Sequence, residues 1–233
     1  LVVVNLYPFE ATVARGAGFA EIVENIDIGG PSMVRAAAKN HQHVGVVVDP
    51  ADYDSILSEM RANNGALVAA TYFQLFCKAF QHTAHYDGAI SNYFSSLDQE
   101  KKPQRWGQTV NIQVSKLQDM RYGENPHQSA AFYGTKGDAG LSISRATQFQ
   151  GKELSFNNIL DADAALSTVL EFSDIATVAI KHNNPCGVAL SSKSLADSFR
   201  KAKACDPVSI FGGVLAFNRP VDEETALELK DIF

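Results

Sequence analysis

The run Ile175-Ala176-Thr177-Val178-Ala179-Ile180-Lys181-His182-Asn183-Asn184-Pro185-Cys186-Gly187 passes directly from an apolar, β-branched segment into a polar turn. A short apolar run bounded by Asn, Pro and Gly predicts a buried strand over 175–180. Its polar sequel then falls just past the carboxyl end of that strand, where open α/β sheets bind their ligands. Working outward, helical spacing runs from about Asn158 to Phe172, and again from roughly Ser194 to Ala204. Gly213–Phe217 predicts another strand, Glu223 to Phe233 carries a helical pattern without a stop signal, and Ala130–Tyr133 and Ser142–Ser144 predict a pair of strands upstream. This module is α/β.

The other half of the chain has the same grammar. Leu1–Val4 and Val44–Val48 are short apolar runs that predict parallel strands. Between them Glu21 to Ile26 has helical spacing, and Ser32 is placed to cap a helix through Met33-Val34-Arg35-Ala36-Ala37-Ala38. Pro50-Ala51-Asp52 opens a further helix that Asn63-Asn64-Gly65 ends, and Ala66 to about Leu97 predicts one long helix with Phe73, Phe76, Phe80 and Tyr86 among its apolar positions. Periodicity then disappears around Glu100-Lys101-Lys102-Pro103-Gln104-Arg105. The expected organisation is a first α/β domain over 1–97, a linker over 98–116 and a second α/β domain over 117–233.

Composition limits what such a protein does. The chain has 233 residues, 45% hydrophobic and 20% charged, so it can bury a core and is not disordered as a whole. A net charge of -6 supplies no global positive field, which argues against nucleic acid as a partner. No apolar run approaches the roughly 18 residues of a membrane-spanning helix. Three cysteines without a close pair, Cys77, Cys186 and Cys205, fit a reducing compartment, and the cytoplasm is the expected location.

Several clusters could carry chemistry. Lys181 and His182 side by side offer a division of labour: a neutral imidazole as general base, and an ammonium to stabilise developing negative charge. The plain alternative is a solvated turn. Pro185-Cys186 resembles half of the Pro-Cys-x-x-Cys zinc signature of deaminases, but Ala189 stands where the second cysteine would be, so an inert Cys186 is expected and no metal. Arg121-Tyr122-Gly123-Glu124-Asn125-Pro126-His127-Gln128 groups a guanidinium, a phenol, amides and an imidazole around Gly and Pro, which suits a nucleotide as well as a hydrogen-bonded turn. Asp27-Ile28-Gly29-Gly30 leads into a helix N-terminus able to seat an anion, with Asp27 either a cap or a base. Asn5-Leu6-Tyr7-Pro8-Phe9 follows a strand end, and Phe211-Gly212-Gly213 needs backbone freedom for a turn or a ligand. His82 and His85 stand one helical turn apart without an evident third metal ligand.

Four of these segments, in this order, resemble the bifunctional purine biosynthesis family that joins an IMP cyclohydrolase to an AICAR transformylase. They are Asn5–Phe9, Ile26–Gly30 with Arg35–His41, Arg121–Gln128 and Lys181–Gly187. The resemblance runs the length of the chain. It implies formyl transfer from 10-formyltetrahydrofolate, a cosubstrate, to AICAR, and ring closure of formyl-AICAR to IMP. It also implies a partial methylglyoxal-synthase-like α/β domain followed by a partial cytidine-deaminase-like transformylase domain without zinc. A homodimer is implied as well.

Carried over motif by motif, His182 would be the general base and Lys181 the transition-state stabiliser of formyl transfer. Arg121, Tyr122 and Gly212 would hold the nucleotide. For ring closure, Lys39 would be the proton donor and acceptor, Asp27 and Tyr7 would assist, and Val4, Asn5, Ile28 and Gly29 would line the IMP site. The family's earlier cyclohydrolase part and later transformylase part are not matched, so the chain is expected to be an excerpt with little or no activity by itself. Two rival expectations are a zinc-dependent deaminase-like hydrolase and a non-catalytic nucleotide-binding or assembly module.

Overall fold

A computed structural model describes residues 1–135 and 140–230. The chain divides into two units, Leu1–Gln113 and Val114–Phe233. Both mix helices with short sheets, giving an α/β protein. Among the described residues no helix is long and apolar enough to cross a membrane.

In the first unit β1 (Val2–Val3) pairs in parallel with β2 (Val46–Val47), in the register Val2↔Val46 and Val3↔Val47. The Val4 amide continues the pairing by donating to the Val47 carbonyl at 3.0 Å. Parallel strands require a crossover, and here it holds three helices: α1 (Phe9–Ala14), α2 (Phe19–Glu24) and α3 (Gly29–Lys39). The sequence predicted two, with no helix expected over Phe9–Ala14. Pro8 sits at the N-cap of α1, where its missing N–H costs nothing, and its carbonyl accepts from the Thr12 amide at 2.9 Å.

Ser32 does not cap α3. The helix starts earlier, because the Asp27 carboxylate takes the Gly30 amide at 2.7 Å, and the Ser32 hydroxyl lies inside the helix, donating to the Ile28 carbonyl. A 3-10 turn at Pro50–Asp52 leads into α4 (Tyr53–Ala62), which ends at Asn64 and Gly65 with positive φ of 53° and 87°. The long helix α5 (Ala69–Ser95) buries Leu75, Ala79, Thr83 and Tyr86 along one stripe. Val34 and Ala38 of α3 pack there with Val46, Val48 and Ala79. Phe9 meets the rings of Tyr86, Tyr93 and Phe94 at centroid distances of 6.3, 5.9 and 6.2 Å. Polar residues after Asp98 return to α5, where Asn92 and Asn111 exchange side-chain to backbone hydrogen bonds at 2.7 and 2.8 Å.

The second unit opens with an antiparallel pair, β3 (Val114–Met120) and β4 (Ala130–Thr135), whose register shifts between Lys116 and Gln118. The strand expected at Ser142–Ser144 is a 3-10 turn, Ile143–Arg145, and β3 takes its place beside β4. After α6 (Phe156–Leu170) come β5 (Ile175–Lys181), β6 (Asn184–Ser191), α7 (Leu195–Cys205), β7 (Val214–Phe217) and α8 (Glu223–Leu229). The rest of the helical pattern expected to Phe233 reaches 231–233, outside the described residues.

The sheet order is β6-β5-β7, with β5 central and antiparallel to both neighbours. Its apolar run is covered on both faces. Ala176, Val178 and Ile180 pack with Ala165 and Val169 of α6, whereas Ala179 packs with Phe199 and Ile210. On the Ala179 side the buried Thr177 hydroxyl lies 2.6 Å from that of Ser198 on α7. The polar sequel to β5 does not run on as a free loop past the strand end: Lys181 closes β5, His182 and Asn183 turn, and Asn184–Gly187 already belong to the antiparallel β6.

Candidate functional site

Asp27 organises the first candidate site. Its Oδ1 accepts from the Gly30 amide at 2.7 Å, its Oδ2 from the Tyr7 amide at 3.3 Å, and its own amide donates to the Tyr86 hydroxyl at 2.8 Å. The segment after β1 is thereby tied to the N-terminus of α3. Gly30 allows this approach, because a Cβ there would lie 2.5 Å from Asp27 Oδ2 and 2.7 Å from Leu6 Cδ2. Burial pushes the Tyr86 phenol above its ordinary pKa, and the neighbouring Asp27 and Asp87 carboxylates act in the same direction.

A cavity of about 790 Å³ opens here, lined by Val4, Asn5, Tyr7, Asp27, Ile28 and Gly29 together with Gly30, Met33 and part of α2. Every residue that the resemblance assigns to ring closure lines it except Lys39. That lysine is exposed at the last position of α3, about 15 Å along the axis from Gly29 at 1.5 Å per residue. The arrangement offers an anion the positive end of a helix, beside a carboxylate and an exposed phenol. Tyr53, which the sequence did not single out, donates its hydroxyl to Asn5 Oδ1 at 3.4 Å and accepts from Asn5 Nδ2 at 3.1 Å. Its signal is absent from local sequence, since 48 residues separate the pair.

The second candidate site lies at the β5–β6 hairpin. His182 and Asn183 form its two-residue turn, with φ of 52° and 61°, the sign pattern of a type I′ turn. The exposed His182 is presented at the tip. Lys181 folds the other way, its Nζ donating to the Phe211 carbonyl at 3.0 Å, which brings the Phe211-Gly212 turn alongside. Gly212 has φ of 70° and the next residue, Gly213, approaches β5 so closely that a Cβ would lie 2.8 Å from the Ile180 carbonyl oxygen. Asp206 braces this turn through the Val208 and Ser209 amides at 3.2 and 2.9 Å. The Ser209 side chain and then its amide hold the Asp206 carboxyl below its usual range.

Arg121 stacks over the Tyr122 ring at 5.8 Å from its centroid, and the loop that follows closes through Gly123 and Asn125 onto Gln128. Two residues of α6 reach both loops. Asn157 donates to the Glu124 carbonyl at 3.3 Å, and Asp161 accepts from the Asn183 amide at 2.7 Å. The first two turns of α6 thus hold the loop that follows Arg121 and Tyr122 and the turn at His182 and Asn183, while Lys181 is joined to the Phe211-Gly212 turn.

Among the described residues no group of three or more His, Cys, Asp or Glu side chains is placed to hold an ion. His85 pairs with Glu10 at 3.0 Å. Cys186 donates to the Ala179 carbonyl at 3.5 Å, and burial pushes its thiol above the ordinary pKa.

Comparison with known proteins gives these clusters a context. A family model described as AICARFT/IMPCHase bienzyme matches residues 37–233. The Bifunctional purine biosynthesis protein PurH of Halalkalibacterium halodurans is 54% identical over 233 residues, covering 100% of this chain and 44% of that protein. The protein of the same name from Magnetococcus marinus is 54% identical over 235 residues, with the same coverage. A solved structure described as "Crystal structure of ForH" is 38% identical over 32% of this chain and 39% of its own, with a TM-score of 0.29. The chain spans less than half the length of these curated relatives.

Proposed function

Because the chain belongs to the AICARFT/IMPCHase bienzyme family, we propose that it is a segment of a two-site enzyme completing de novo purine synthesis. One site transfers the formyl group of 10-formyltetrahydrofolate to AICAR, and the other closes formyl-AICAR to IMP. The observation that carries this reading is 54% identity along the entire segment to proteins named for purine biosynthesis. In this reading residues 1–97 belong to a methylglyoxal-synthase-like cyclohydrolase domain, 98–116 link, and 117–233 begin a cytidine-deaminase-like transformylase domain. The complete protein acts in the cytoplasm as a homodimer on small-molecule substrates.

Formyl transfer makes one C–N bond and breaks another. The 5-amino nitrogen of AICAR attacks the formyl carbon, the bond from that carbon to N10 of the folate breaks, the amine loses a proton and N10 gains one. That amine is a poor nucleophile, its lone pair delocalised into the ring and carboxamide, so a base at the nitrogen matters. His182, exposed at the hairpin tip, is assigned that role. Lys181 is assigned the developing negative charge, a role in which its ammonium exchanges or shares its contact with the Phe211 carbonyl. Arg121 and Tyr122 would hold phosphate and ring, with Gly212 leaving backbone room beside them.

Ring closure joins the carboxamide nitrogen to the formyl carbon and expels water. The cavity lined by Val4, Asn5, Tyr7, Asp27, Ile28 and Gly29 supports nucleotide binding there, and Asp27 and Tyr7 are assigned to assist the closure. Lys39 as proton donor and acceptor rests on the motif alone, since it stands at the far end of α3. The experiment is to supply the complete protein with AICAR and 10-formyltetrahydrofolate and follow IMP. Formation of IMP is expected, and a protein that forms neither formyl-AICAR nor IMP would refute the reading.

A further inference from the structure

His182 and Asn183 hold left-handed backbone without being glycine. That conformation is disfavoured for any residue with a Cβ, and it persists where neighbouring groups over-determine it. From outside the hairpin this turn is held by the Asn183 amide, which donates to Asp161 Oδ1 at 2.7 Å. A second contact, from Asn184 Nδ2 to the His182 carbonyl at 2.8 Å, stays within the hairpin.

Asp161 is itself fixed. It lies in the second turn of α6, whose start is locked by a reciprocal capping box between Ser155 and Asn158. Further along, Ala165 and Val169 of the same helix are buried against Ala176, Val178 and Ile180 of β5. Four residues before Asp161, on the same helix face, Asn157 holds the Glu124 carbonyl and with it the loop that starts at Arg121. One rigid face therefore sets the nucleotide-binding loop and the hairpin tip against each other.

We infer that Asp161 is a positioning residue for formyl transfer, which fixes the His182 turn through the Asn183 amide and so sets the distance between the base and the bound amine. This rests on the assignment of His182 as general base above. A misplacement on the order of 1 Å is enough to cost about 100-fold in rate.

The test uses the complete enzyme with Asp161→Ala, which removes the acceptor, and Asp161→Asn, which keeps a carbonyl oxygen for the same amide. Circular dichroism and the urea midpoint of the same preparations report correct folding of the unit that holds Asp161. Asp161→Ala is expected to lower kcat for formyl transfer by roughly 10- to 100-fold with KM for AICAR within about twofold, while Asp161→Asn recovers most of the loss. Hydrogen exchange in the 182–183 turn is expected to speed up in the Ala variant alone. Wild-type kcat in a folded Asp161→Ala enzyme would overturn the proposal, as would equal losses in both variants with unchanged exchange. If the wild-type complete protein transfers no formyl group, the functional reading itself falls, and faster turn exchange in Asp161→Ala would separate that outcome from an error about the contact.

Discussion

Asp27 and Gly30 together decide where α3 begins and what faces the first cavity. Sequence made Asp27 either cap or base, and its bond to the Gly30 amide makes it a cap that also lines the cavity. Gly30→Ala would press a Cβ against that carboxylate and against Leu6. We expect a loss of about 1–3 kcal/mol, the usual range for overpacking, seen as a lower urea midpoint; an unchanged midpoint would mean that the carboxylate gives way freely. Asp206 offers a pH test. Its carboxyl is held below the usual range by Ser209, so on acidification the unfolded chain binds the proton first. The stabilisation is complete above the unfolded-state pKa of about 3.9 and is lost as pH falls through the lower, folded-state value. The urea midpoint of Asp206→Asn should accordingly lie below wild type at neutral pH and converge on it below about pH 4; a gap that stays constant with pH would contradict this. Asp161 was illegible in the sequence for a simple reason: its partner Asn183 lies 22 residues away, and nothing local marks the pairing.

At the scale of elements, β5 and β7 were legible and β6 was not. An apolar run covered on both faces has the same residues whether its sheet is parallel or antiparallel. What fixes the topology is the two-residue turn at His182 and Asn183, which leaves room only for a hairpin. β3 gave little signal because Val-Ser-Lys-Leu-Gln-Asp-Met is largely exposed, and the pairing of Ser142–Ser144 with β4 failed for want of it. Helices α4 and α5 followed their stop signals and apolar stripes, whereas α1 was hidden behind a proline. The helix on which the second site depends is α6. Ser155→Ala removes the capping box and is expected to cost about 1 kcal/mol in denaturant unfolding, with faster exchange in the first turn of α6. No loss of stability would show that packing of Ala165 and Val169 alone defines the start of the helix.

Across the whole molecule, the two units have separate cores, Val34, Ala38, Val46, Val48 and Ala79 anchoring one and Val178, Ile180 and Phe199 contributing to the other. Each has its own candidate site, and the family to which the chain belongs is named for two activities. The α/β class was readable in the apolar runs and helical spacing, whereas the grouping of Val4, Asn5, Tyr7, Asp27, Ile28 and Gly29 came from the family resemblance, since 20 residues separate Tyr7 from Asp27. The link from the loop after Arg121 to the His182 turn was not readable, since it runs through the Asn157 and Asp161 side chains of α6. The most direct test of the account is to measure both half-reactions in the complete protein carrying His182→Ala. Formyl transfer to AICAR should fall by about 100-fold or more, as expected on losing a general base, while closure of supplied formyl-AICAR to IMP continues at the wild-type rate. Undiminished formyl transfer, or loss of both reactions in a folded protein, would contradict it.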